Sequence, residues 1–178
     1  AQGPTGVFTL TLVNQVRYTF DSSGKLLAEV DANGNANTML YDGARLVGVR
    51  APDGRELRFE YDEQNRITTV QDPLSRTIRF GYDSQDQLTS ITDVRDFTTT
   101  LTYISEHRLA KIVDANDHTV ILNIYDDRGR VIEQENGLGE STKFHYEVED
   151  CTLGRTTTIT NTRGFPRVDY YAIRGELS

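Results

Sequence analysis

The chain has 178 residues, with 19 Lys and Arg against 27 Asp and Glu, so its formal charge is −8. An acidic balance without basic runs argues against nonspecific binding to a nucleic-acid backbone, which needs clustered cations to displace counterions. One cysteine, Cys151, excludes an internal disulfide framework and any multi-cysteine zinc or iron–sulfur site. The apolar fraction of 37% lies below the roughly 45–50% usual for globular domains. Nine Tyr and seven Phe are nevertheless too many for a disordered chain. The composition describes a folded protein with a thin core.

No apolar run approaches the roughly 18 residues of a membrane helix. Ala1 to Pro4 do not begin a signal peptide, and the first residue is not Met. The sequence therefore reads as a mature product or an excised segment. In chain order, Val7–Leu12 and Val16–Phe20 are expected to be two strands joined near Asn14 and Gln15. Residues 1–17 are assigned to this entry region, and residues 18–178 to a repeat array truncated in its last copy.

From Phe20 onward the chain repeats itself. Phe20-Asp21, Tyr41-Asp42, Tyr61-Asp62, Tyr82-Asp83, Tyr103-Ile104, Tyr125-Asp126, Tyr146-Glu147 and Tyr171-Ala172 succeed one another at steps of 21, 20, 21, 21, 22, 21 and 25 residues. A Gly or polar residue, a cation and an aliphatic come next, as in Gly24-Lys25-Leu26, Asn65-Arg66-Ile67 and Gly129-Arg130-Val131. A second turn tetrad then recurs, from Asp31–Gly34, Ala51–Gly54 and Asp72–Ser75 to Asp93–Asp96, Asp114–Asp117, Asn136–Gly139 and Asn161–Gly164. Asp or Asn at the first position accepts local backbone hydrogen bonds, and Gly at the fourth tolerates positive φ.

Between the turns the pattern is that of strands. Leu57, Phe59 and Tyr61 alternate with Glu56, Arg58 and Glu60, and the same period of two runs through Ile78-Phe80-Tyr82, Thr99-Leu101-Tyr103 and Thr142-Phe144-Tyr146. The intervening stretches carry apolar pairs three apart: Leu46/Val49, Ile67/Val70, Leu88/Ile91 and Leu109/Ile112. Either a bulge separates each pair or that strand packs on both faces. The fifth unit has an extra residue around Val120–Tyr125, so a register shift is expected there. Extra residues around Glu147–Leu153 suggest a bulged turn that includes Cys151. Short turns between the strands favour antiparallel hairpins, with a parallel solenoid as the competing geometry.

These residues resemble the Rhs/YD-repeat family, whose consensus is Tyr-Asp-x-x-Gly-Arg-Leu-x-x-Val-x-Asp-Pro-x-Gly. Tyr125-Asp126-Asp127-Arg128-Gly129-Arg130-Val131 matches its first half, and Tyr61 to Pro73 matches nearly all of it. Tyr103-Ile104 lacks the Asp, Arg45 follows a shortened turn, and Tyr171-Ala172 is degenerate. The resemblance implies an all-β, spiralling antiparallel sheet of about eight 21-residue hairpins, part of a hollow shell. It further implies a non-enzymatic segment of a large secreted or cell-surface protein, bacterial rather than teneurin-like, whose shell encloses a toxic carboxy-terminal cargo. Its partners would be the remainder of its own polypeptide and a toxin-delivery or cell-surface component, with no nucleic acid and no cofactor. The family's self-cleaving core has no counterpart after Tyr171, and an end at Ser178 would leave an uncapped sheet edge, so the chain reads as part of a larger protein.

Several side chains invite a chemical reading. Asp31, Asn33 and Asn35 match the first three ligands of an EF-hand loop, but Ala36 replaces its Gly and Asp42 its final Glu. A turn-forming role accounts for them without a metal. Asp93 with Asp96, or Asp126 with Asp127, could be read as the paired carboxylates that a glycosidase needs in a cleft roughly 5–10 Å apart; solvated turns are the simpler account. His107, His118 and His145 lack metal-ligand spacing, and Cys151 has no recurring base beside it. No catalytic or metal residue is assigned. The repeat-defining residues are taken to be Tyr41, Asp42, Tyr61, Asp62, Tyr82, Asp83, Tyr103, Tyr125, Asp126, Gly129, Arg130 and Tyr146. The tyrosines form either a packed structural ladder, each stacking near those one unit away, or an aromatic platform of a carbohydrate-binding module.

Overall fold

A computed structural model of the chain describes residues 6–105, 107–147 and 155–171. Cys151, most of the insertion expected around Glu147–Leu153, and the segment after Tyr171 lie outside them. Sixteen strands and no helix occur among the described residues. The fold is all-β and antiparallel.

The chain divides into two compact units, residues 1–80 with 92–96, and residues 81–91 with 97–178. The first carries β1 (Phe8–Thr11), β2 (Arg17–Phe20), β3 (Leu26–Val30), β4 (Ala36–Asp42), β5 (Arg45–Arg50), β6 (Glu56–Tyr61), β7 (Ile67–Gln71) and most of β8 (Thr77–Tyr82). The second carries most of β9 (Leu88–Thr92), then β10 (Thr98–Ile104), β11 (Arg108–Val113), β12 (Thr119–Tyr125), β13 (Val131–Asn136), β14 (Ser141–Tyr146), β15 (Arg155–Thr160) and β16 (Pro166–Tyr171). Within each unit strand order is sequence order, so every connection is a hairpin and none is a crossover. The parallel solenoid is thereby excluded.

Apart from the two-residue turn at Gly43 and Ala44, both kinds of turn share one construction. The first residue donates its N–H to the carbonyl four residues on, and the fourth donates back to the first: Asp62 N–H to Arg66 at 3.0 Å, Asn65 N–H to Asp62 at 3.1 Å. Asp72 and Ser75 repeat this with Arg76 at the other end of β7. The fourth residue takes positive φ whether it is Gly, as at Gly129 (78°), or not, as at Asn65 (66°) and Ser75 (62°). This is the three-residue hairpin loop whose αL residue makes a bulge, hence the Gly, Asn and Asp preference at that position.

The apolar pairs three residues apart are explained by a bulge. Tyr61 pairs with Ile67 but Glu60 with Thr69, leaving Thr68 as the extra residue. Val70, opposite Phe59, thereby shares a face with Ile67. The same shift occurs opposite Tyr41, Tyr103 and Tyr125, and opposite Phe20. The longer fifth unit has a further shift, since Ile112 pairs with Ile121 and Val113 with Thr119. Val120 is the residue left over.

Register therefore sorts one face from the other. In the first unit Met39, Val49, Leu57, Phe59, Val70 and Ile78 share the face of Tyr41 and Tyr61. Arg50, Glu56, Arg58, Glu60 and Arg79 occupy the opposite face. No hydrophobic residue among those described is buried. With so little burial, cross-strand pairs and repeat-to-repeat contacts carry the stability.

Candidate functional site: the tyrosine column

Each repeat ends a strand on its aromatic residue or one residue later, as at Asp42 and Ile104, and then turns back. At the turn, Asp62 Oδ1 accepts the N–H of Arg66 at 2.9 Å while Oδ2 accepts its Nε at 2.7 Å. Asp126 holds Arg130 identically, through N–H and Nε both at 2.8 Å. The arginine is thus oriented by its own repeat. The backbone N–H of Arg66, then desolvation, then its guanidinium set the acidity of Asp62, and the sum holds it below the ordinary aspartate value. Asp126 is lowered by the same causes from Arg130.

In three repeats a cation lies over the tyrosine of the next repeat, and in one of them, Arg130, it is the Asp-held arginine. Arg130 sits 4.4 Å from the Tyr146 ring centroid, Arg45 4.9 Å from Tyr61, and Lys25 5.2 Å from Tyr41. These are cation–π distances. The hydroxyl of that tyrosine then donates to the carbonyl of the aliphatic after the cation. Tyr146 reaches Val131 at 2.7 Å, Tyr61 reaches Leu46 at 2.6 Å, Tyr41 reaches Leu26 at 3.0 Å and Tyr125 reaches Leu109 at 2.7 Å. The cations also extend to the next turn: Arg45 Nε donates to Asn65 Oδ1 at 2.7 Å and Lys25 Nζ to the Gly43 carbonyl at 2.6 Å. Tyr, Asp, cation and aliphatic together make a clasp between consecutive repeats.

The other repeat residues vary this scheme. Tyr82 closes β8, and Asp83 Oδ1 accepts the N–H groups of Gln85 and Gln87. Asp42 lies beside a two-residue turn, where it pairs with Arg45, and its side chain makes no hydrogen bond among the described residues. Gly129 has φ +78°, and a Cβ there would meet the Arg108 guanidinium at 2.8 Å. In the repeat before Tyr103 the position equivalent to Arg130 is Gln87, not a cation. The Tyr103 hydroxyl makes no hydrogen bond among the described residues. Burial, then the charge of Asp83, raise its pKa. In the second unit polar residues join the column: Asn123 Nδ2 donates to the Leu109 carbonyl at 2.9 Å, and Gln134 Nε2 to Asn123 Oδ1 at 2.8 Å. The tyrosines reach back to main chain and cation rather than simply stacking on one another. That detail was not visible from the Tyr spacing, though the cation five residues after Tyr in most copies was the available signal.

The remaining candidates serve turns. Asp31 Oδ1 accepts from the N–H groups of Asn33 and Asn35, and Oδ2 from Asn35 Nδ2 at 2.7 Å, so the EF-like residues bond to each other. Asp93 accepts from Arg95, and Asp126 from Arg128 and Arg130. His118 Nδ1 lies 3.4 Å from Asp114, while His107 occupies a positive-φ turn position and His145 is exposed on β14. Among the described residues no three His, Cys, Asp or Glu side chains converge on one point.

The RHS Repeat family model matches residues 41–77, 68–98 and 82–119. These residues are RHS repeats. No curated protein sequence matches the chain. The Photorhabdus luminescens Tc holotoxin pore, carrying a TccC3 substitution, aligns over 90% of the chain with a TM-score of 0.53 and 13% identity. At that identity the shared property is the fold. The crystal structure of TcdB2-TccC3-Cdc42 aligns over 95% with a TM-score of 0.45 and 15% identity, and that of TcdB2-TccC3 over 91% with 0.43 and 16%. The chain spans 11% to 13% of the length of these proteins.

Proposed function

We propose that this chain is a non-enzymatic wall segment of a large secreted or cell-surface Rhs-type protein, and that the wall encloses a toxic carboxy-terminal segment of the same polypeptide. The observation that carries this reading is the repeat-to-repeat clasp of Tyr146, Arg130 and Val131 and its equivalents. It commits the chain's most regular polar and aromatic residues to holding neighbouring repeats together. A wall with so thin a core needs such linkage, because stability in repeat arrays is a sum of nearest-neighbour interfaces. The shared fold with the Tc holotoxin pore supports the same reading. A carbohydrate-binding platform would need free ring faces and hydroxyls, whereas the rings of Tyr41, Tyr61 and Tyr146 carry cations and their hydroxyls are engaged. Partners are then the rest of the polypeptide and a delivery component.

The test is limited proteolysis of the full-length protein, with and without opening of the wall at low pH. The carboxy-terminal segment should resist cleavage until the repeats unfold. Cleavage of that segment while the repeats remain intact would refute enclosure.

A further inference from the structure

Asn-Gly occurs twice in the chain, as Asn33-Gly34 and Asn136-Gly137. Each lies in the second turn of its repeat, but at a different position of the tetrad. With no Cβ on the second residue, its backbone nitrogen can swing onto the Cγ of the asparagine before it. The surroundings of the two copies differ. Asn136 opens its tetrad, and its carboxamide is held at both ends. Its Oδ1 accepts the N–H groups of Leu138 at 2.9 Å and Glu140 at 3.1 Å, and its Nδ2 donates to Glu140 Oε2 at 2.9 Å. A Cβ at Gly137 would meet the Thr119 carbonyl oxygen at 3.0 Å, so the strand beside it crowds the glycine. Asn33 is the third residue of its tetrad and is exposed, and its side chain makes no hydrogen bond among the described residues. A Cβ at Gly34 would meet nothing within 4 Å. The Gly34 N–H bonds to the Asp31 carbonyl at 3.1 Å, a turn contact at the tip of the hairpin.

We propose that Asn33 is a site of spontaneous deamidation and that Asn136, the same dipeptide in a different setting, is protected from it. The Gly34 nitrogen, having lost its proton to hydroxide, bonds to Asn33 Cγ. The Cγ–Nδ2 bond breaks, and ammonia leaves with a proton from water. Water then opens the cyclic imide at one of its two carbonyls, its hydroxyl going to carbon and its proton to nitrogen, which gives aspartate or isoaspartate. The sum is one water consumed and one ammonia released, with no redox change. A neutral amide thereby becomes a carboxylate two residues from Asp31. In the isoaspartate the backbone also gains a carbon, which moves the Gly34 N–H off the Asp31 carbonyl and loosens the turn between β3 and β4. At Asn136 the three side-chain bonds must break before the same attack can begin. This inference stands apart from enclosure, since it concerns one turn whatever the assembly does.

The test is incubation of the folded 178-residue chain at mildly alkaline pH in heavy-oxygen water, followed by digestion and mass spectrometry, with fragment ions locating each new carboxylate. Isoaspartate is read separately by enzymatic methylation. Asn33 should acquire heavy oxygen and become a methyl acceptor, at a rate roughly tenfold or more above that of Asn136. In denaturant, where neither loop exists, the two should convert at comparable rates. Asn33→Gln should remove the modification from this turn and leave the melting temperature of the fresh chain unchanged, since the side chain it replaces makes no hydrogen bond among the described residues. The main comparison is between two sites of one unaltered chain, so it does not depend on any variant folding. Equal rates at the two sites in the folded chain, faster conversion at Asn136, or an Asn33 that stays an amide while the denatured chain converts would each overturn the proposal.

Discussion

The Tyr146 hydroxyl donates to the Val131 carbonyl at 2.7 Å, fifteen positions back in the chain and one strand away. The preceding residue, Arg130, covers the ring of that same tyrosine. One side chain therefore reads two consecutive residues of the previous repeat. The recurrence of an aromatic, a cation and an aliphatic at fixed offsets along this chain acquires a physical reason in this geometry.

Removing the cation should loosen the clasp. Arg130→Met keeps the apolar stem but deletes the charge over Tyr146, and a partly exposed cation–π contact is worth about 0.5–1 kcal/mol. Denaturant melts of Arg130→Met, Tyr146→Leu and the double variant would measure the coupling. A coupling energy indistinguishable from zero would mean the two residues act separately.

The turn aspartates predict acid sensitivity. Asp72 is held below its ordinary value chiefly by the Arg76 side chain, and Asp62 and Asp126 chiefly by the backbone N–H of the arginine four residues on. A depressed folded-state pKa gives stability that is present above the unfolded value, about 3.9, and is lost as pH falls through the folded value. The melting temperature should hold from neutral pH to about pH 5 and then fall steeply below about pH 4. Asp126→Asn should reduce that slope, whereas a flat profile down to about pH 3 would contradict the turn assignment.

Ser75 carries avoidable strain. Its φ of 62° places a side chain in the left-handed region, which costs a non-glycine residue roughly 1–2 kcal/mol. Ser75→Gly should stabilise the chain by up to about 1 kcal/mol, with the gain reduced by unfolded-state entropy. A lowered melting temperature would show that Ser75 contributes something beyond its backbone.

Gly48 has the opposite requirement. Its φ is not positive, but a Cβ there would lie 2.7 Å from the Leu57 carbonyl oxygen, on the neighbouring strand. Gly48→Ala must push β5 and β6 apart and should cost about 1–3 kcal/mol. A melting temperature equal to the parent's would refute this close approach.

The repeat, the all-β class, the antiparallel hairpins and the alternation before each Tyr were legible because they depend on local chemistry: period two and turn residues. The spacing of three in Ile67/Val70 left two geometries open, since a bulge is decided by pairing with the neighbouring strand rather than by the strand's own residues. The clasp was hidden for a related reason. Its acceptors are main-chain carbonyls, such as those of Leu46 and Val131, which leave no mark on residue type. Asp42 shows the converse: its letter fits the motif, yet the two-residue turn beside it removes the backbone donors that Asp62 uses.

The most direct test of the clasp is a Tyr→Phe series, each variant deleting one oxygen. Tyr41→Phe, Tyr61→Phe, Tyr125→Phe and Tyr146→Phe each remove a hydroxyl bonded to a carbonyl of the preceding repeat, at 3.0, 2.6, 2.7 and 2.7 Å. Each should destabilise the chain by about 1 kcal/mol. Tyr103→Phe, whose hydroxyl has no partner among the described residues, should change stability by no more than roughly a few tenths of a kcal/mol. Equal losses at all five positions, or no loss at the first four, would contradict the clasp.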